Sequence, residues 1–193
     1  MSLLNLKKFN IIVAVSKDMG IGVNGDLPWR LRKDMKQFKL LTSNAIVDGK
    51  KNAVVMGRKT WNSIPKKFRP LQNRVNVVLS RNLSDPPPGA DYLCGSLEKA
   101  INLLSQESIG DQIDLVWIIG GSEVYKEAMK SPQCHQLYIT RVDSTVECDA
   151  FFPAIDSSKY TKISLPNIDE TEQEENGIKF KYEVYEQTNI SEN

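Results

Sequence analysis

A single histidine, three cysteines, no excess charge of either sign and no long apolar run exclude several kinds of protein at once. Cys94, Cys134 and Cys148 are odd in number and lack C-x-x-C spacing, which argues against a disulfide framework or a zinc site. Reduced thiols in a cytoplasmic protein are expected instead, with no bound metal. His135 follows Cys134, but Ser131, Pro132 and Gln133 precede the pair, which reads as a polar turn rather than a thiol or metal centre. Lys and Arg total 25 against 24 Asp and Glu, a net charge of +1, so no nucleic-acid or membrane-surface footprint is present. Nothing approaches the apolar length of a membrane span. Lys7-Lys8 before Phe9–Val15 imitates a signal peptide, and Ala14-Val15-Ser16 imitates its cleavage site. Asn10 interrupts that short run and Lys17-Asp18 closes it, so a buried strand is expected. The sequons Asn82-Leu83-Ser84 and Asn189-Ile190-Ser191 are discounted accordingly.

With 193 residues, of which 40% are hydrophobic and 25% charged, the chain has the composition of a globular protein. One domain over residues 1–193 is expected, with no repeat or low-complexity segment. Short β-branched runs recur at Ile11–Val15, Ala53–Met56, Val75–Leu79 and Ile113–Ile119. Near-continuous apolar strands call for a sheet covered on both faces, hence an α/β fold. Between them, Leu31, Asp34, Met35 and Phe38 fall at helical spacing. Leu97, Ala100, Ile101 and Leu104 do so again behind an N-cap at Ser96, and Val124, Tyr125 and Ala128 open a third helix. Leu137–Val142 reads as a strand, and Ile178, Phe180, Tyr182 and Val184 form a period-two strand with one wetter face. The acid-rich stretch Asp169–Glu175 reads as a solvated loop.

Gly20-Ile21-Gly22-Val23-Asn24-Gly25 spells the dinucleotide fingerprint G-x-G-x-x-G, but its context is wrong. Ser16–Met19 separate the strand from the first glycine, and Asp26-Leu27-Pro28 follow where a helix should start. An adaptable loop beside a pocket is expected. Better phosphate sites are three strand ends: Gly57-Arg58-Lys59-Thr60, Ser80-Arg81 and Gly120-Gly121-Ser122. Glycines let a phosphate approach the backbone, and arginine binds it with paired hydrogen bonds. If the strands are parallel neighbours, these turns share one carboxyl edge, where open α/β sheets bind ligands. Singly, each turn reads as ordinary surface charge; together they point to a phosphorylated dinucleotide.

Asp34 shares an apolar stripe, where desolvation raises a carboxyl pKa and suits it to managing a proton. The alternative is that it merely complements the helix dipole from the first turn. No paired carboxylates, Ser-His-Asp order or Cys-His dyad is present, so a cofactor-dependent reaction with one protein acid remains.

At this point the residues resemble the dihydrofolate reductase family over most of the chain. The matching motifs are Ile11–Val15, Met19–Trp29, Val55–Trp61, Ser63-Ile64-Pro65, Arg69-Pro70-Leu71, Arg74, Ser80-Arg81, Trp117–Tyr125, Thr140-Arg141 and Asp149–Pro153. The resemblance implies one domain with a central, mostly parallel eight-stranded sheet and flanking helices. It also implies NADPH-dependent reduction of dihydrofolate to tetrahydrofolate by a monomer that antifolates would bind. Asp34 is similar to the single active-site carboxylate that bonds the pterin, with Thr140 linked to it. Leu27 and Trp29 belong to a loop closing over nicotinamide. Ile12, Val13, Met35, Phe38, Ser63, Ile64, Leu71 and Ile119 match the substrate walls, several of them also core residues, and Arg74 matches the grip on the glutamate α-carboxylate.

For the cofactor, the resemblance implies Ala14 and the loop residues Ile21, Gly22, Val23, Asn24, Gly25 and Asp26. It adds Gly57, Arg58, Lys59 and Thr60 at one strand end, Leu79, Ser80, Arg81 and Asn82 at the next, and Gly120, Gly121, Ser122, Glu123, Val124 and Tyr125 at the third. Arg58 and Arg81 match contacts to the 2′-phosphate. Three departures stand out. Asp34 and its spacing from Trp29 look bacterial, since animal members often carry Glu and one more residue. Phe68 stands where a polar tail contact is common, and Gly95 replaces a basic residue near the adenosine side. Two other readings remain open: a reductase of the same fold acting on a pyrimidine precursor of flavin, and a non-catalytic nucleotide-binding protein.

Overall fold

The β-branched runs do become the strands of one sheet. The computed structural model describes residues 5–188. The strands are β1 (Phe9–Val15), β2 (Gly20–Gly22), β3 (Lys51–Gly57), β4 (Arg74–Leu79), β5 (Tyr92–Cys94), β6 (Ile113–Ile118), β7 (Cys134–Val142), β8 (Ala150–Phe151), β9 (Tyr160–Ile163), β10 (Gln173–Glu175) and β11 (Ile178–Gln187). The helices are α1 (Arg32–Ser43), α2 (Arg58–Ser63), α3 (Leu97–Ser105), α4 (Glu107–Gly110) and α5 (Ser122–Ala128), and a 3₁₀ turn spans Lys66–Phe68.

The sheet runs β10-β11-β7-β1-β6-β3-β4-β5. The pairs from β7 to β5 are parallel, and β11 lies antiparallel to β7. This is the mostly parallel eight-stranded sheet that the resemblance implies. Its outermost position is shared, because β10 pairs with one end of β11 (Glu175 opposite Ile178) and β9 with the other (Val184 opposite Ile163).

Alternate residues of each strand feed opposite faces. Ile11, Val13, Val15, Val55, Val77 and Ile118 pack with Leu97, Ile101, Leu104 and Tyr125 from α3 and α5. Ile12, Val54, Met56, Val78 and Trp117 pack with Trp61 of α2 and Phe38 and Leu41 of α1. The two-sided burial read from the apolar runs is thus realised. Ser96 caps α3 as expected, its side chain accepting the Lys99 N–H. Residues Phe9–Val15, which imitate a signal peptide, form a buried central strand.

Three expectations are corrected. Cys134 and His135 are not in a turn but begin β7, because the Cys134 N–H already closes the preceding turn on the Ser131 carbonyl (3.1 Å). Part of the acid-rich stretch is not loop, since Gln173–Glu175 forms β10 against β11. The wetter face of β11 is not uniformly wet. Glu183 is buried there, hydrogen-bonded by Arg141 (2.9 Å) and Tyr185 (2.8 Å). Cys94, Cys134 and Cys148 are all free thiols. The sequon Asn82-Leu83-Ser84 is exposed, and Asn189-Ile190-Ser191 lies outside the described residues. No described helix is long and apolar enough to cross a membrane.

Candidate active site

Helix α1 begins at Arg32, which places Asp34 in its first turn, half-buried and facing β7. There the Thr140 hydroxyl donates a hydrogen bond of 2.7 Å to Asp34 Oδ1. Burial pushes the Asp34 carboxyl above the usual carboxylate range; the Thr140 bond opposes that push and the negative charge of Glu175 adds to it. The adjoining cleft is formed by Ile12, Val13 and Ala14 of β1, Gln37, Phe38 and Leu41 of α1, and Tyr138, Thr140, Ile168, Tyr182 and the ion-paired Glu183. Its walls are mostly apolar. Buried Trp29 packs close by with Leu31 and Tyr182, and its indole Nε1 has no hydrogen-bond partner among the described residues. An orphaned buried donor of this kind suits a ligand or a bound water.

Other apolar candidates lie open instead of packing into the core. Leu27 is 46% exposed, Met35 50% and Phe68 56%. Exposed large apolar side chains suit a ligand that covers them. Ile64, Leu71 and Ile119 are half-buried against the core face that includes Ile12 and Trp61. Ser63 is exposed, its hydroxyl donating to the Thr60 carbonyl (2.7 Å).

Arg74 is buried at the start of β4. Its Nε donates to the Gln72 carbonyl (2.9 Å) and one terminal nitrogen to Thr42 Oγ1 (2.9 Å). No carboxylate among the described residues forms an ion pair with it. Burial without a counter-charge lowers its pKa, and such a cation is well placed for an incoming anion.

The loop after β1 is built as a clasp. Residues Gly20–Gly22 pair with Ala150–Phe151, so the D-A-F-F-P segment holds the loop. Asn24-Gly25 forms a tight turn with both φ angles positive (50° and 77°), closed by reciprocal bonds of 3.0 Å between Val23 and Asp26. The Asn24 N–H donates to Asp149 Oδ2 (2.8 Å). A side chain at Gly20 would place its Cβ 2.5 Å from Cys148 Sγ, which explains the first glycine without any phosphate. The next helix begins only at Arg32, so the fingerprint is not a Rossmann cradle.

The three candidate phosphate turns do share one edge, because β6, β3 and β4 are adjacent and parallel. There the Gly57 N–H donates to the Gly120 carbonyl (2.8 Å). A Cβ at Gly121 would lie 3.2 Å from Thr60 Oγ1, and one at Gly120 (φ 120°) 3.3 Å from the Tyr125 hydroxyl. That hydroxyl donates to the Ile12 carbonyl (2.9 Å), tying α5 to β1. Val124 packs above Gly57, Glu123 pairs with Lys126 at 2.7 Å, and the Ser122 hydroxyl accepts the Phe151 N–H. Arg58, Lys59 and Arg81 are exposed and form no ion pair among the described residues. Leu79 is buried at the end of β4, and Ser80 Oγ accepts the Asn82 N–H (3.2 Å). Gly95 follows β5 at the same edge. Lys99 Nζ lies 3.9 Å from where a side chain at 95 would begin, so one basic group reaches that space from α3. The glycine-lined edge and its free cations therefore fit a phosphorylated dinucleotide, on their own geometry.

Several participants were not read from the sequence: Gln37, Tyr138, Ile168, Tyr182, Lys99 and Glu175. Tyr182 was available from the alternation in β11; the others depend on strand pairing over long distances in the chain.

An α/β sheet with free cations along its carboxyl edge, beside a mostly apolar cleft that Asp34 and Glu183 line, has the layout of a cofactor-dependent enzyme. Comparison with known proteins gives the particular family. The dihydrofolate reductase family model matches residues 8–187. The dihydrofolate reductase of Sus scrofa is 52% identical over 186 residues, covering 95% of this chain and 100% of its own, and that of Mus musculus is 51% identical, covering 94% and 98%. The solved Schistosoma mansoni dihydrofolate reductase superposes with a TM-score of 0.83 at 45% identity, covering 94% of this chain and 99% of its own. The chain belongs to the dihydrofolate reductase family. Its acid and the Trp29-to-Asp34 spacing look bacterial, yet about half of its residues are shared with mammalian members.

Proposed function

We propose that this chain catalyses the NADPH-dependent reduction of 7,8-dihydrofolate to 5,6,7,8-tetrahydrofolate, feeding one-carbon metabolism and thymidylate synthesis. The observation that carries the reading is the Asp34–Thr140 pair in a mostly apolar cleft beside the cation-bearing sheet edge.

Bound NADPH supplies the hydride for pterin C6. The protein's own residues supply alignment, exclusion of water and a proton. Asp34, oriented by Thr140, bonds the 2-amino group and N3 of the pterin and promotes protonation at N5. Burial raises its pKa, which suits it to managing that proton. Ile12, Val13, Phe38, Ile64, Leu71 and Ile119 wall the substrate, and exposed Leu27, Met35 and Phe68 gain cover from it. Arg74 holds the α-carboxylate of the glutamate tail. Arg58 and Arg81 hold the 2′-phosphate, and Lys99 supplies the charge that Gly95 lacks. The residues at Ala14, 21–26, 57–60, 79–82 and 120–125 line the rest of the cofactor site. We further assign a monomer of one domain over residues 1–193, cytoplasmic and open to antifolates.

Spectrophotometric NADPH oxidation with dihydrofolate tests this directly. Rapid turnover is expected. Turnover of a pyrimidine precursor of flavin in its place would assign the chain to the other chemistry, and binding without turnover would mark it as non-catalytic.

A further inference from the structure

The residue before α1 is Leu31, whose side chain has no acceptor for the free N–H groups of the first turn. Two of those groups are nevertheless satisfied by a distant side chain. Glu175 Oε1 accepts the Arg32 N–H at 2.8 Å and Oε2 accepts the Lys33 N–H at 2.9 Å. The carboxylate arrives from the far end of the chain, at the tip of the β10–β11 hairpin. Asn176 and Gly177, both at positive φ (54° and 75°), turn that hairpin tightly. Lys33 Nζ also donates to the Glu174 carbonyl (3.3 Å), so the hairpin clasps the helix start at three points. These bonds hold the Glu175 carboxyl below the usual range, hence ionised at neutral pH. The next residue along the helix is Asp34.

We propose that Glu175 is a positioning residue for the reaction: its carboxylate pins the first turn of α1 so that Asp34 meets Thr140, and its negative charge opposes a second one on Asp34. This role rests on the reading of Asp34 as the active-site acid. The other groups facing Asp34 do not duplicate it. Tyr182 approaches from β11 as a neutral phenol, its pKa raised by burial and by nearby carboxylates including Asp169. Thr140 from β7 donates a hydrogen bond that favours the ionised form. From β1 come only Ile12, Val13 and Ala14. Arg32 and Lys33 lie on the helix itself and bear on Glu175. Glu183 of β11 lines the same cleft, but Arg141 and Lys162 pair with its charge, which leaves Glu175 as the like charge that bears on Asp34.

The sign follows from electrostatics. With the Glu175 charge removed, Asp34 loses its proton at lower pH, so hydride transfer begins to fall at lower pH. The test is single-turnover hydride transfer across pH for wild type and Glu175→Gln, with thermal unfolding of each. Gln keeps an acceptor oxygen but no charge. The rate at pH 8 should drop about three- to tenfold, as expected for one nearby, partly screened charge, while the acid plateau stays near wild type. Added salt should shrink the difference. In an Asp34→Asn background the same substitution should leave the pH profile unmoved. A uniform loss at all pH values, or an unshifted profile in a folded Glu175→Gln protein, would reduce Glu175 to a helix cap and overturn the proposal. An Asp34→Asn protein with a normal rate would instead remove the reading on which it rests, so the two failures are distinguishable.

Discussion

Replacing Arg74 by Leu separates substrate recognition from folding more cleanly than any other single change at this site. The guanidinium is buried, yet among the described residues only Gln72 and Thr42 accept from it and no carboxylate balances its charge. An uncompensated buried cation is unfavourable to the free protein, so its removal relieves a cost while losing two hydrogen bonds worth about 1 kcal/mol each. Thr42 keeps its own bond to the Phe38 carbonyl (2.8 Å), so the replacement orphans little. Stability should therefore change by no more than about 1 kcal/mol. Binding should change more. Charge-assisted bonds to a carboxylate contribute about 1.5–3 kcal/mol, which corresponds to a dissociation constant about ten- to a hundredfold weaker for dihydrofolate. A pterin without the glutamate tail should bind almost as before. Tryptophan fluorescence titration of both ligands, alongside thermal unfolding, measures the contrast. Equal losses for the two ligands, or a collapse of stability, would refute the reasoning and make Arg74 a structural residue.

Arg81→Ala should weaken NADPH about ten- to a hundredfold and leave NADH nearly unchanged in a binding titration, because only NADPH carries the 2′-phosphate. Parallel losses would remove Arg81 from that contact. Gly20→Ala forces a Cβ to within 2.5 Å of Cys148 Sγ and 2.7 Å of its Cβ, and should cost about 1–3 kcal/mol in denaturant unfolding; an unchanged midpoint would contradict the close packing. Burial alone would raise the Glu183 carboxyl, but hydrogen bonds from Arg141 and Tyr185 and the charges of Lys162 and Arg141 outweigh it and hold it at about 2. A carboxyl depressed on folding contributes stability that is full above its unfolded value and is lost as pH falls toward its folded one. Glu183→Gln should therefore flatten the stability curve between about pH 4.5 and 2, and an unaltered slope would exclude this ion cluster as its source.

The long apolar strands and the helices with three or more periodic positions were readable because burial writes its period into the sequence. Ile11–Val15, Ala53–Met56 and Leu97–Leu104 lie where their patterns place them. The short strands at Tyr92–Cys94, Ala150–Phe151 and Tyr160–Ile163 left no such trace, since two to four residues cannot establish a period. Cys134-His135 misled for a related reason: a turn signal ends sharply, and the strand begins at the next residue. At the site, Asp34 was legible as a carboxylate out of place in an apolar stripe. Glu175 was not, because nothing near position 175 reveals that its carboxylate caps a helix well over a hundred residues earlier. Lys99 was hidden similarly, since its value depends on the space beside Gly95.

Hydride transfer by Asp34→Asn in single turnovers across pH tests the central claim most directly. Asn preserves the shape and an acceptor for Thr140 but carries no titratable proton. The rate at neutral pH should fall by at least about a hundredfold, the lower range for general acid–base assistance. That loss should shrink toward low pH, where solvent protonates the substrate without the enzyme's help. NADPH binding and the unfolding temperature should remain close to wild type. A folded Asp34→Asn protein that transfers hydride at a near-normal rate at neutral pH would contradict the account.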